Sequence, residues 1–223
     1  MLHAFAKKEW LKLRRAWWIG LSLNLIGLIY LFFHLNHLFT LEHAETIWYR
    51  AFVIATPHYG SMKYLMVFTG LLLAAAQFVP EMLGHRFRLS LHLPVPPDRI
   101  VLLAVFMGLG TVVALIGVDA LGLGLILSRF YPWEAVISGL WTAFPWLFAG
   151  VTVYLGTALV LLEPGFTRKL VCCVLALGVT SLFFQGVTYE EMNQALVAPV
   201  VLTLLFIPAI LLPAYRYRNG RYS

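Results

Sequence analysis

The chain has 223 residues, of which 61% are hydrophobic and 12% charged, and its formal net charge is +6. Soluble domains average about 25% charged and about 45–50% apolar residues. A soluble fold of this size cannot bury so large an apolar excess, because its surface needs polar cover. The composition therefore excludes an ordinary water-soluble domain and predicts an all-α integral membrane protein.

The first predicted element is an amphipathic helix over residues 2–15. Leu2, Ala6, Trp10, Leu13 and Trp17 recur at steps of four and three, which places them on one helical face. The basic residues lie mostly off that face, and they are Lys7, Lys8, Lys12, Arg14 and Arg15. Such a helix suits the headgroup layer, where basic side chains reach phosphates. We expect an interfacial helix, which serves only as a topology anchor or also touches a cytosolic partner.

Six apolar runs follow, and each is predicted to be a membrane span. A helix needs about 20 apolar residues to cross about 30 Å of hydrocarbon. The predicted spans are 16–39, 61–79, 100–127, 135–162, 170–184 and 195–215. The run 170–184 is short, and the polar segment after it is expected to dip partly into the membrane. The whole chain, 1–223, is predicted to form one transmembrane domain.

The distribution of basic residues predicts the orientation of these spans. Thirteen of the 16 Lys and Arg lie in the N-terminal arm, the loops after spans 2 and 4, and the C-terminal tail. The loops on the other side share only Arg50, Lys63 and Arg129. Short loops rich in Lys and Arg face the cytoplasm, so both termini are predicted to be cytoplasmic. The positive charge thus reflects topology and contact with lipids, and we expect no nucleic-acid partner.

Three polar residues inside the predicted spans are candidates for a translocation path or a subunit interface. Asp119 is the only acid well inside a span, and an intramembrane carboxylate by default indicates function or a buried partner. It could bond to a neighbouring helix or a second subunit, or it could act in substrate passage or proton handling. Asn24 and Gln77 are weaker candidates of the same kind.

Histidines near the outer end of span 1 suggest a different class of function. His34 and His37 stand at i and i+3 and share a helical face, while His43 and His58 follow in the next loop. They could ligate a metal or haem, or they could be interfacial side chains bonded to headgroups. No metal site is predicted here. The alternative function is a membrane-anchor or haem- or quinone-binding subunit of a respiratory complex.

Several motifs of catalytic sites are missing from the sequence. It has no G-x-x-x-x-G-K-[ST] loop, no H-E-x-x-H, no C-x-x-C and no G-x-S-x-G. The two cysteines, Cys172 and Cys173, are adjacent in an apolar run and are expected to be packing residues. We therefore expect that the chain is not an enzyme by itself.

Two short stretches carry a resemblance to a known family. Residues 7–15 read KKEWLKLRR, and residues 80–99 read PEMLGHRFRLSLHLPVPPDR. The second stretch has an acid at the end of span 2 (Glu81), a short segment over 82–91, then Leu-Pro-Val at 93–95 and Arg99. In these features the chain resembles the permease subunits of type-2 ATP-binding-cassette exporters. It departs from the family pattern at 103–106, where LAVF stands in place of a lysine with a small residue.

The resemblance implies an exporter subunit that forms the translocation path in a bacterial inner membrane. It implies that the cytoplasmic segment 81–91 couples the chain to separate ATPase subunits, through Glu81, Arg86 and Arg88. ATP and Mg would bind those partners, and this chain would bind no cofactor. A second copy of the chain, or a related permease, would complete the assembly. The plainer interpretation of the same segment is a solvated basic loop that sets orientation.

Overall fold

The computed structural model describes residues 2–53, 58–83, 96–186, 190–192 and 194–218, and the regular structure there is helical. The helices are α1 (Leu2–Leu41), α2 (Ala44–Phe52), α3 (Leu65–Met82), α4 (Pro97–Phe130), α5 (Trp133–Leu162), α6 (Phe166–Leu182), α7 (Val197–Ala209) and α8 (Leu211–Arg218). A short 3-10 turn at Gly60–Met62 precedes α3. The all-α fold class is confirmed.

Five helical segments are long and apolar enough to cross a membrane, which indicates an integral membrane protein. They are Phe5–Leu41, Leu65–Met82, Asp98–Phe130, Trp133–Leu162 and Val197–Tyr217. The predicted span 170–184 corresponds to α6, whose 17 residues keep it out of this set. The structure thus supports five of the six predicted spans by length and composition.

The N-terminal segment differs from the prediction of a separate interfacial helix over 2–15. It continues without a break into the first span, as one α-helix of 40 residues. Its apolar face packs against the protein, because Leu13 is fully buried and Ala16 is 5% exposed. That the other face of this segment lies in the headgroup layer stays a prediction, because periodicity shows that a face is apolar without showing what covers it.

Helices α3 and α5 form a parallel pair in close contact. Gly70 of α3 faces the backbone of Gly150 of α5, and a Cβ atom at Gly70 would overlap the Gly150 carbonyl oxygen. Small residues allow helix backbones to approach in this way. The close approach brings the inner faces of the two helices together along their length, including Gln77 and Tyr154.

Helix α6 runs beside only the second half of α5. Its end is level with the middle of α5, because the rings of Phe183 and Phe148 lie 5.7 Å apart. Helix α7 begins at a similar depth, since the hydroxyls of Thr203 and Thr152 are 2.8 Å apart. The first half of α5 therefore extends past α6 and α7, and it packs with the far ends of α1 and α4 around Leu31, Leu127 and Trp146.

The last predicted span, 195–215, is interrupted near its end. Helix α7 stops at Ala209 and α8 begins at Leu211. Pro213 has no N–H to donate to the carbonyl four residues earlier, and Pro208 weakens the preceding turn. Ile210 between the two helices keeps helical backbone angles, so α7 and most of α8 still form one apolar segment, Val197–Tyr217.

We expect Gly70→Ala to lower the free energy of unfolding by about 1–3 kcal/mol, the usual cost of overpacking. The obstacle is the Gly150 backbone, which cannot rotate away as a side chain can. Gly117→Ala is the matched control, because a Cβ there meets nothing within 4 Å. Both substitutions replace glycine with alanine inside a helix, so both gain the same helix propensity. The difference between their free energies of unfolding, measured by denaturant titration, is therefore the packing cost at Gly70. Equal stability of the two variants would contradict the close α3–α5 contact.

Candidate functional site at the basic end of the bundle

Four helix ends and α8 meet at one end of the molecule, which we call the basic end. Lys12 of α1 pairs with Glu81 of α3. The Tyr215 hydroxyl of α8 donates to Asp98 of α4 at 2.7 Å, and Arg216 pairs with Glu163 at 2.6 Å, just after α5. The N-terminal arm, the loops after spans 2 and 4 and the C-terminal tail carry most of the basic residues. Their described parts therefore lie together at this end.

Glu81 points into the bundle at this end. Its side chain is 10% exposed, and its carboxylate pairs with Lys8 at 2.9 Å and also with Lys12. Of the residues predicted to couple to a partner, Arg86 and Arg88 lie outside the described residues. The position of Glu81 makes it the attachment point between α1 and the start of the segment 81–91.

Lys12 also pairs with a second buried carboxylate, that of Glu9. Its ammonium group lies 2.5 Å from Glu9, which is 1% exposed. A carboxylate removed from water requires a countercharge or several hydrogen bonds. Lys12 supplies that countercharge to Glu9 and Glu81 together, with only 16% of its own side chain exposed.

A chain of hydrogen bonds continues from Glu9 into the bundle. The Gln77 amide nitrogen donates to Glu9 at 3.0 Å and to the Ala104 carbonyl oxygen of α4 at 2.7 Å. The Tyr154 hydroxyl of α5 donates to the Gln77 amide oxygen at 2.7 Å. Gln77 and Tyr154 are both 0% exposed. One connected polar network thus ties α1, α3, α4 and α5 together.

The network fits against α4 only because that helix carries Gly108. A Cβ atom at this position would overlap the Tyr154 hydroxyl and the Gln77 amide oxygen. Glycine at 108 leaves room for the two polar groups to bond to each other beside the α4 backbone.

Part of this network was predicted from the sequence. Glu81 and Gln77 were candidates, and Lys8 and Lys12 were assigned to the interfacial helix. Glu9 and Tyr154 were missed. For Glu9 the available signal was its i,i+3 spacing to Lys12 in a segment that otherwise carries only basic charges.

Asn24 of α1 and Asp119 of α4 lie deeper, and the contacts of Asn24 are with Met66 and Thr69 of α3. Asn24 accepts a hydrogen bond from the Thr69 hydroxyl at 3.2 Å. Asp119 is 2% exposed, and neither of its carboxylate oxygens has a hydrogen-bond partner among the described residues. Both side chains are enclosed within this one chain in the arrangement seen here.

Of the histidines, His34 lies near enough to His58 for its charge to add to the effect of partial burial, which lowers the pKa of His58. His34 and His37 are exposed on α1, and the ring of His34 stacks on Tyr30 with centroids 6.0 Å apart. Partial burial, followed by the charge of Arg50, lowers the pKa of His58. Within the described part of the chain, no three His, Cys, Asp or Glu side chains are grouped to hold a metal ion.

A second ion-pair cluster fixes α8. Glu163 is 1% exposed; it binds Arg216 through both oxygens at 2.6 Å, and Arg168 approaches it at 3.9 Å. The contact between Tyr215 and Asp98 holds the same helix against α4. The C-terminal helix is thus anchored across the ends of α4 and α5.

We expect Glu81→Gln to lower the free energy of unfolding by about 1.5–3 kcal/mol, the usual worth of hydrogen bonds to charged groups. The change removes the charge that Lys8 and Lys12 share. Glu45→Gln is the matched control, because Glu45 is exposed. Denaturant titration in one detergent compares the two variants. An equal, small effect of both substitutions would show that the Glu81 pairs contribute nothing.

Glu163→Gln is expected to loosen α8, because Arg216 loses its buried countercharge. Limited trypsin digestion at Arg216 should become at least several-fold faster, since proteases cleave locally opened segments. Mass spectrometry of the released peptide gives the rate, with Glu134→Gln as the control. An unchanged cleavage rate would mean that the ion pair does not hold α8 in place.

No protein-family model, no curated protein and no solved structure matches this chain.

Proposed function

We propose that the chain is the transmembrane subunit of an ATP-driven exporter of the ATP-binding-cassette type, and that it works with separate ATPase subunits. The observation that carries the proposal is the contact between the two stretches that resemble this family. Lys8 and Lys12, from the KKEWLKLRR stretch, pair with Glu81, from the stretch 80–99. The segment assigned to coupling therefore starts at a residue bonded to the N-terminal helix.

The network supplies a physical route for coupling. A displacement of the segment after Glu81 reaches α1 directly through the two lysine pairs. From Glu9 it reaches α3, α4 and α5 through Gln77 and Tyr154. The ATPase must contact the segment differently in two states of the transporter if ATP is to shift their balance. ATP and Mg would bind the partner chains.

The buried polar residues fit such a two-state mechanism. Asn24, Gln77 and Asp119 are at most 2% exposed, so the path they would line is closed in this arrangement. Parting α1 from α3 would expose Asn24 to the passage, and a movement of α4 would expose Asp119. The cost of leaving the Asp119 carboxylate without a partner would fall in the open state, where water reaches it.

Co-purification tests the proposal most directly. The full-length chain carries an affinity tag, is expressed from its own chromosomal context and is extracted in mild detergent. We expect a nucleotide-binding subunit to co-purify in near-stoichiometric amount and to show ATPase activity. Recovery of a pure, folded chain without any ATPase at native expression levels would contradict the proposal.

Substitutions within the coupling segment separate docking from stability. Arg86→Ala with Arg88→Ala should lower the amount of ATPase recovered about ten-fold or more, because each truncated charge at a contact costs at least about 1 kcal/mol. Membrane insertion and the stability of the isolated chain should not change. Arg129→Ala, near the far end of α4, is the control. If the double variant recovers as much ATPase as the wild type, the proposal that this segment couples the chain to the ATPase is contradicted.

A further inference from the structure

The part of α1 near the basic end has a second face, opposite the one that packs on the bundle. Glu9, Leu13 and Ala16 are at most 5% exposed on the packed side. On the other side Trp10 is 40% exposed and Trp18 57% exposed. We call the set Lys7, Trp10, Arg14 and Trp18 the Arg14 face; Trp17 lies at its edge, partly buried against the core of the bundle.

Helical spacing gathers these side chains around Arg14. Trp10 lies four residues before Arg14, and Trp17 and Trp18 lie three and four residues after it, so these tryptophans are the neighbours of Arg14 along the helix. The rings of Trp10 and Trp17 have centroids 6.5 Å apart, and those of Trp17 and Trp18 are 5.0 Å apart. Arg14 therefore stands in a row of indole rings.

The cations of the Arg14 face have no countercharge. Lys7 and Arg14 form no ion pair or hydrogen bond with any described residue. The nearby acids are paired with other cations: Glu9 pairs with Lys12, and Glu81 pairs with Lys8 and Lys12. The face thus presents a positive charge that a ligand from outside the chain must balance.

The position of Arg14 along α1 identifies the ligand. Arg14 and Arg15 are the last charged residues of the helix, and residues 16–41 contain no Asp, Glu, Lys or Arg. The hydrocarbon layer therefore begins just beyond them, and Arg14 lies at the depth of lipid phosphates. Indole rings also favour this boundary layer.

We propose that the Arg14 face is a binding site for an anionic phospholipid, whose phosphate accepts hydrogen bonds from Arg14 and whose acyl chains run past Trp17 and Trp18. Guanidinium binds phosphate in a bidentate manner, and Lys7 adds attraction for a headgroup of net negative charge. Zwitterionic lipids lack that net charge and bind more weakly. This site does not rest on the exporter proposal.

Native mass spectrometry of the detergent-solubilised full chain tests the site. Phosphatidylglycerol and phosphatidylcholine with identical acyl chains are titrated separately. We expect the wild-type chain to retain phosphatidylglycerol preferentially. Arg14→Gln should weaken its binding about five-fold, the effect of one basic residue at an anionic surface, while phosphatidylcholine binding stays the same. Arg14→Lys should keep part of the preference for phosphatidylglycerol over phosphatidylcholine.

Arg99→Gln is the matched control, because it removes an exposed charge at the same end without neighbouring tryptophans. It should leave phosphatidylglycerol binding unchanged. Equal losses in Arg14→Gln and Arg99→Gln would show diffuse attraction and overturn the site. Equal retention of the two lipids by the wild-type chain, or full binding by Arg14→Gln, would overturn it as well. The unfolding midpoint of Arg14→Gln without added lipid must match that of the wild type, which separates lost binding from lost folding.

Discussion

A single ammonium group at Lys12 stabilises two buried carboxylates from different helices. Without it, Glu9 would lose its countercharge, and Glu81 would keep only the more exposed Lys8. The same geometry orients Glu9 so that it accepts the Gln77 hydrogen bond, and Gln77 in turn accepts the bond from Tyr154. Lys12 is therefore the one cation shared by both acids, and it reaches inward from the helix that was predicted to lie on the membrane surface.

This contact changes the interpretation of the N-terminal helix. A segment with five cations in nine residues looks like a surface anchor. In the fold its cations divide by direction: Lys8 and Lys12 point to the acids of the bundle, whereas Lys7 and Arg14 face outward beside tryptophans. One amphipathic segment thus has a face that packs on the bundle and a basic face directed away from it. Its continuity with the first span makes α1 a rigid link between the basic end and the far half of the bundle.

The elements that the sequence predicted well are those defined by long apolar runs. Trp133–Leu162 differs from the predicted span 135–162 by two residues at one end, because hydrophobic length alone determines such a helix. The polar network could be predicted only in part. Gln77 and Glu81 stood out as polar groups at apolar positions, but the Tyr154 hydroxyl bonds only because Gly108 leaves room on a third helix. Contacts of that kind depend on how helices pack, which spacing along one helix does not encode.

The apolar helices of the bundle differ in length, and α6 is much shorter than α5. The 17 residues of α6 extend about 26 Å, whereas the 30 residues of α5 extend about 45 Å. Helix α6 is thus slightly shorter than the usual hydrocarbon layer of about 30 Å, whereas the longer α5 is mostly enclosed by the bundle. None of the residues of α6 is buried, so lipid beside it would meet a short apolar surface. A bilayer thins next to such a surface at a modest cost per ångström.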